Sequence, residues 1–217
     1  LYRARPADGV AWITGGSTGI GRQVALDLAA EGYKVIVTAR DQKQLDEVEA
    51  AAKAKGHRLA TISGDVTDTE AMETTVATIE REHGPIVLAV FNAGTYLPTH
   101  GEKLDVKNFE KTFDVNFRGV INGLVPVANR MRDRGFGQIA VVGSVTSYYG
   151  LPSAGAYGAS KAALNSVAQS LKFDFDKLNI RIQMVNPGFV DTPLTKKNEF
   201  SMPGLMPVDR AARRMVD

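Results

Sequence analysis

Val10-Ala11-Trp12-Ile13-Thr14-Gly15-Gly16-Ser17-Thr18-Gly19-Ile20-Gly21 is a short apolar run that empties into a glycine-rich turn. The run is bounded by glycine and has the length and branching of a buried strand. A helix follows, with Val24, Leu26, Leu28 and Ala29 on its apolar stripe and Gly32 as its stop. Strand, glycine loop and helix in that order let the backbone approach a pyrophosphate, which then rests at the positive end of the helix. The spacing over Gly15, Gly19 and Gly21 is G-x-x-x-G-x-G rather than G-x-G-x-x-G. A tight turn holding no ligand is the plain alternative, but the place directly after the first strand favours a nucleotide. No Gly-Lys-Ser/Thr follows, which argues against a triphosphate loop.

Outward from this unit the pattern repeats. Short apolar strands are predicted over 35–37, 59–63, 86–91, 138–142 and 180–185, and helices over 41–55, 68–82, 104–134 and 154–178. Strands this short and apolar, alternating with helices, predict a doubly wound α/β domain of three layers, a parallel sheet covered on both faces, spanning 1–217 as one domain. Ligands of such sheets bind outside the carboxyl ends of the strands. Those positions hold the glycine loop, Arg40, Asp65, Asn92-Ala93-Gly94, Ser144 and Asn186-Pro187-Gly188. Beyond Pro187, Pro193, Pro203 and Pro207 interrupt Leu194, Phe200, Met202, Leu205 and Met206. This irregular apolar segment, residues about 190–210, reads as a lid over a pocket, with a packed surface loop as the alternative.

Composition narrows the function. The chain has 217 residues, 44% of them apolar and 23% charged, enough for one substantial core. Its net charge of +2 comes from 26 basic and 24 acidic residues without a basic block, so nucleic acid is not an expected partner. There is no cysteine, and His57, His83 and His100 lack ligand spacing, so no metal centre is expected. No run of apolar residues has the length of a membrane span, and residues 1–10 lack the apolar core of a signal peptide. A soluble, cytoplasmic protein is expected. The chain starts at Leu1 and ends at Asp217 within a charged, helical pattern, so one or both natural ends are expected to lie outside it.

Tyr157-Gly158-Ala159-Ser160-Lys161 places a phenol and an ammonium four residues apart, on one helix face. A cation at roughly 4 Å and an effective dielectric of about 20 is worth ~4 kcal/mol, or about three pK units, in favour of the phenolate. The spacing therefore predicts a depressed phenol pKa and a proton-transfer group. A packed ring beside a solvated lysine is the simpler reading of the same spacing.

Together, Thr14-Gly15-x-x-x-Gly19-x-Gly21, Asn92-Ala93-Gly94, Asn116, Ser144, Tyr157-x-x-x-Lys161 and Pro187-Gly188 with Thr192 resemble the short-chain dehydrogenase/reductase family, in its compact single-domain form. The resemblance covers essentially the whole chain. It implies a Rossmann sheet of about seven strands, the seventh beyond Asp217. It implies that Tyr157 is the general acid or base and that Lys161 lowers its pKa and holds the nicotinamide ribose. Ser144 would bind the substrate oxygen, and Asn116 would fix a water in a relay to Lys161. The dinucleotide would be held by Gly15, Ser17, Thr18, Gly19, Ile20, Gly21, Arg40, Asp65, Val66, Asn92, Ala93, Gly94, Tyr157, Lys161, Pro187, Gly188, Val190 and Thr192.

At the end of the second strand a carboxylate would bind a ribose 2′-hydroxyl, whereas arginine accommodates a 2′-phosphate. Thr38-Ala39-Arg40 therefore favours NADP(H) over NAD(H), although Asp41 adjoins Arg40 and Ser17-Thr18 supplies no basic residue. Thr95, Tyr96, Val145, Tyr149, Leu151, Phe189, Leu194 and Met202 are the candidate substrate lining, with Tyr148 beside them. Their apolar, aromatic character points to a hydrophobic ketone, aldehyde or secondary alcohol. The helix after Tyr157 is apolar on more than one face, through Leu164, Val167 and Leu171 and through Ala163 and Phe173. With the resemblance, this predicts a homodimer or homotetramer. The competing functions are an NAD-dependent alcohol dehydrogenase of the same family and a dinucleotide-sensing protein without turnover.

Overall fold

Strands β1 (Val10–Thr14), β2 (Lys34–Ala39), β3 (Leu59–Ser63), β4 (Ile86–Phe91), β5 (Gly137–Val142) and β6 (Ile180–Val185) form one sheet in the order β3-β2-β1-β4-β5-β6. Every neighbouring pair is parallel. They are seen in a computed structural model that describes residues 1–198 and 201–216. The chain builds outward from β1 to β3, then crosses back to start β4 on the other side of β1. That reversal makes the β1/β4 junction the switch point at which Rossmann sheets bind ligands. All residues of β1 and β4 are buried, as expected for central strands covered on both faces.

Helices α1 (Gly19–Ala30), α2 (Gln42–Lys53), α3 (Thr69–Glu82), α4 (Val106–Phe113), α5 (Gly119–Arg134), α6 (Gly155–Phe175) and α7 (Val208–Val216) supply the outer layers. Asp41, Asp68 and Asp105 cap α2, α3 and α4 by accepting from Gln44 N, Ala71 N and Lys107 N, satisfying donors that a helix start leaves open. Side-chain alternation along the strands divides the core. Trp12, Ile36, Phe91, Ile139 and Ile182 face a cluster that takes in α3, α5 and α6. Ala11, Ile13, Val35 and Val37 face one that takes in α1, Leu45 of α2 and Ala212 of α7. Trp12 is fully buried, and its indole N–H donates to Thr38 Oγ1 at 2.9 Å, so no polar group is stranded there.

One sequence expectation changes. The stretch 104–134 is not one helix: a turn of π-helix, Asp114–Arg118, separates α4 from α5, and Leu104 precedes both. π-turns widen a helix locally and mark functional positions; this one carries Asn116, fully buried. The segment expected to act as a lid has its two ends hydrogen-bonded to each other. Asp191 N–H donates to Met206 O at 2.9 Å and Met206 N–H to Phe189 O at 2.8 Å, tying its two ends together, with a 3-10 turn at Thr195–Lys197 inside. Phe200, counted among the lid's apolar residues, lies outside the described residues.

Candidate active site

A cleft of about 850 Å³ runs along the carboxyl ends of the strands. Its floor is the glycine loop. Gly15 has φ +65°, and a methyl there would stand 2.6 Å from Ala93 Cα; a methyl on Gly21 would stand 2.3 Å from Asn92 Nδ2. No other residue type fits either place. The Asn92 amide donates to Gly15 O at 2.8 Å, pinning the loop from β4. Helix α1 starts beneath the cleft with no side-chain cap and no acidic residue in its first turn. Its backbone N–H groups are therefore directed at a ligand, and an anion is what they suit. A backbone cradle closed to any Cβ, opening on a helix N-terminus, fits a dinucleotide pyrophosphate.

At the far end of the cleft, Arg40 is 71% exposed at its side chain, and its Nη1 lies 3.7 Å from Asp65 Oδ2. Asp41 is taken up by capping α2. Burial pushes the Asp65 carboxyl up, but the Thr67 backbone and hydroxyl donors, at 2.9 Å each, together with Arg40 outweigh it and leave the pKa below its ordinary value. Ser17 Oγ donates to Gln44 Oε1 at 3.1 Å, closing the wall between the glycine loop and α2.

Ser144, Tyr157 and Lys161 meet at the middle of the cleft. Ser144 sits just past β5, its backbone N–H held by Asn186 Oδ1 at 3.0 Å. Tyr157 and Lys161 lie in the first turns of α6. The Lys161 ammonium donates to Val142 O at 2.8 Å and lies 5.8 Å from the Tyr157 ring centroid. Burial alone pushes its pKa down to about 8. Burial likewise pushes the Tyr157 phenol up; a hydrogen bond from Ser144 opposes this, and the neighbouring Tyr96 phenol adds to it. The expected depression of the phenol by Lys161 is therefore corrected. The ammonium is bonded to the end of β5, and desolvation governs the tyrosine.

Asn116 reaches this centre from the π-turn. Its Oδ1 accepts from Thr95 N at 2.7 Å, and its Nδ2 donates to Thr95 O at 3.0 Å and Ser160 Oγ at 3.1 Å. Ser160 Oγ in turn donates to Tyr157 O at 2.7 Å. The amide thus ties the loop after β4 to the backbone beneath Tyr157. A methyl on Gly94 would lie 3.5 Å from Asn116 Oδ1 and 3.6 Å from Lys161 Nζ, so the two groups flank one point.

A smaller pocket opens beside the cleft, and Ser144 and Tyr157 belong to both. Of the candidate substrate residues, Tyr96, Val145, Leu151, Phe189 and Leu194 line it. The Tyr96 ring stands edge-on to Tyr157, with centroids 5.6 Å apart. Thr95, Tyr149 and Met202 do not line it. Thr95 is engaged through its backbone with Asn116, Tyr149 is 60% exposed, and Met202 Sδ accepts from Asn198 Nδ2 at 3.2 Å. Tyr148 also points outward, its hydroxyl accepting from Asn186 Nδ2 at 2.8 Å. Every residue expected to hold the dinucleotide lines the large cleft apart from Gly21, which packs under Asn92. Gln44, Thr195 and Lys197 line the cleft too. They were not among the candidates, because only the folding of α2 and the lid loop brings them there.

Residues 9–202 match the short chain dehydrogenase family. Over 185 residues the chain is 36% identical to a 2,3-dihydro-2,3-dihydroxybenzoate dehydrogenase of Bacillus subtilis, covering 85% of this chain and 71% of that protein. Over 184 residues it is 32% identical to the 3-oxoacyl-(acyl-carrier-protein) reductase MabA of Mycobacterium tuberculosis, covering 85% and 70%. A solved structure described as a short chain dehydrogenase/reductase family protein superposes with a TM-score of 0.86 at 28% identity, covering 97% of this chain and 89% of that one.

Proposed function

This chain belongs to the short chain dehydrogenase family and is an NAD(P)-dependent oxidoreductase, and we propose that it reduces a hydrophobic ketone or aldehyde with NADPH, or oxidises the matching secondary alcohol with NADP⁺. The carrying observation is that Ser144 and Tyr157 stand on the wall shared by the dinucleotide-sized cleft and the small pocket. A group that moves protons is needed where cofactor and substrate meet.

When bound, the nicotinamide supplies or accepts the hydride. The protein's part is orientation and proton transfer. Because burial raises the Tyr157 pKa, the phenol is protonated at neutral pH and suited to donate its proton to a carbonyl oxygen. Ser144 donates a hydrogen bond to the same oxygen and stabilises the charge that develops there. Lys161, held on Val142 O, adds positive charge beside the ribose, and Asn116 fixes the water through which protons reach it. In oxidation Tyr157 accepts the hydroxyl proton instead.

The preference for NADP(H) follows from the end of β2, where Ala39 offers no carboxylate, Asp41 is occupied as a cap and Arg40 is free to swing from Asp65 to a 2′-phosphate. Val145, Leu151, Ala154, Phe189 and Leu194 make the small pocket apolar, which suits a hydrophobic substrate. Phe173, 76% exposed on α6, supports assembly as a homodimer or homotetramer; a monomer in light scattering at micromolar concentration contradicts that. The function itself is tested by following NADPH absorbance with a panel of ketones and aldehydes. Consumption with several apolar members is expected. Silence with NADPH and NADH alike, with binding retained, would point to a sensing protein instead.

A further inference from the structure

Asn186, the residue after β6, ties down both ends of the turn that carries Ser144. Its Oδ1 accepts from the Ser144 backbone N–H at 3.0 Å, and its Nδ2 donates to the Tyr148 hydroxyl at 2.8 Å. Chemistry fixes which way the amide points, since only its oxygen can meet an N–H. Between those ends lies the 3-10 turn Val145–Ser147, closed by Ser144 itself: its Oγ accepts from Thr146 N at 3.2 Å and its backbone O from Ser147 N at 2.9 Å. On either side of the Asn186 contact, Gly143 N–H donates to Val185 O at 2.8 Å and Val145 N–H to Pro187 O at 3.1 Å. Three successive N–H groups are thus held by residues 185–187, the middle one by a side chain. The amide can lie across the strand ends because residue 143 is glycine: a methyl there would collide with Asn186 Oδ1. Ser144 has an extended backbone, φ −165° and ψ 157°, which any residue adopts and which by itself places nothing. Asn186 lines neither cavity, whereas Ser144 lines both, and Pro187 and Gly188, next along the chain, line the cleft.

We propose that Asn186 is a positioning residue of the reaction: by holding the Ser144 N–H and the far end of the turn at Tyr148, it sets where the Ser144 hydroxyl stands relative to Tyr157 and to the Pro187-Gly188 wall. This rests on the oxidoreductase activity proposed above, in which Ser144 donates to the reacting oxygen. A donor of that kind is effective only when it already points to where charge develops, and a displacement of about 1 Å costs up to about 10²-fold in rate. Asn186 is only partly buried, so in its absence water can take up the Ser144 N–H. The loss then falls on where the hydroxyl stands rather than on whether the chain folds.

The test is a double-mutant cycle with Ser144. kcat is measured with NADPH and whichever of acetophenone, cyclohexanone and methyl hexyl ketone wild type reduces fastest, for wild type, Asn186→Ala, Ser144→Ala and the double variant, with NADPH affinity followed by titration calorimetry. Asn186→Ala should lower kcat about 10- to 100-fold and leave NADPH affinity within about threefold, which also shows the variant folded. In the Ser144→Ala background the same substitution should cost less than about threefold, because the hydroxyl that Asn186 places is already gone. A merely structural role lowers the rate equally in both backgrounds, and that result overturns the inference while leaving the oxidoreductase intact. So does a loss confined to NADPH affinity, or an Asn186→Ala enzyme at the wild-type rate. Asn186→Asp keeps an acceptor for the Ser144 N–H and a second oxygen to which the Tyr148 hydroxyl can donate, and should recover most of the rate. Should Asn186→Ala not fold, the aspartate still decides: a folded Asn186→Asp enzyme as slow as Ser144→Ala would show that keeping the contact does not keep the rate. No turnover of any of the three ketones by wild type overturns this inference together with the function it rests on.

Discussion

Lys161 donates its ammonium to the carbonyl oxygen of Val142, the last residue of β5, at 2.8 Å. The lysine is thereby fixed at the strand end rather than at the tyrosine one turn before it, and its charge sits in a dry site. Its pKa of about 8 lies below the ordinary 10.5, so the folded chain binds this proton less tightly than the unfolded one. The penalty is fully present below pH 8 and relieved as pH rises toward 10.5. Tyr157, raised by burial, acts only above its ordinary value near 10 and with the opposite sign. Relative to Lys161→Met, wild type should gain about 2 kcal/mol of stability between roughly pH 7.5 and 9.5. Urea unfolding of both proteins at the two pH values measures this; parallel pH dependences would show that Lys161 is not desolvated.

Arg40 is mostly exposed, and its pairing with Asp65 at 3.7 Å contributes little to stability. Arg40→Ala should therefore leave the unfolding midpoint nearly unchanged while weakening NADPH binding about 10- to 100-fold, the range of a charge-assisted bond. NADH binding should change by less than about threefold, having no 2′-phosphate to lose. Titration calorimetry with each dinucleotide decides it, and equal losses would remove Arg40 from cofactor selection.

Asn116 ties Thr95 to Ser160, and Ser160 to the Tyr157 backbone. Asn116→Ala strands these buried partners and should cost about 2–4 kcal/mol in urea unfolding. Asn116→Asp should not restore it. Asp could accept from Thr95 N, but it has no donor for Thr95 O, and the Ser160 hydroxyl proton is already given to Tyr157 O. A stable Asn116→Asp protein would contradict the bracing role.

What could be read from residues alone was whatever depends on local order. Val10–Thr14, Leu59–Ser63, Ile86–Phe91 and Ile180–Val185 carry the lengths that their flanking glycines, prolines and polar residues impose, and Asp68 caps α3 as its place before the helix predicts. The cleft-lining positions follow from the rule that strand ends carry the ligand. What stayed hidden depends on tertiary contact. The π-turn at Asp114–Arg118 has the composition of ordinary helix, and the bonds that Asn116 makes from it to Thr95 and Ser160 exist only in the folded chain. The partner of Lys161 is a backbone carbonyl, which no side-chain pattern reveals, so charge pairing with Tyr157 was the natural and mistaken expectation for the phenol. Tyr149 and Met202 are apolar enough for a pocket but sit on loops whose direction only packing decides.

The central claim is that Tyr157 transfers the proton while Ser144 and Lys161 set its surroundings. The most direct measurement is NADPH oxidation by wild type and Tyr157→Phe on the same ketone, with NADPH binding followed in parallel. The phenylalanine keeps the ring against Tyr96 and removes only the hydroxyl. Loss of the acid should lower kcat by about 10²- to 10⁴-fold with dinucleotide affinity essentially unchanged. Turnover by Tyr157→Phe at the wild-type rate would contradict the account.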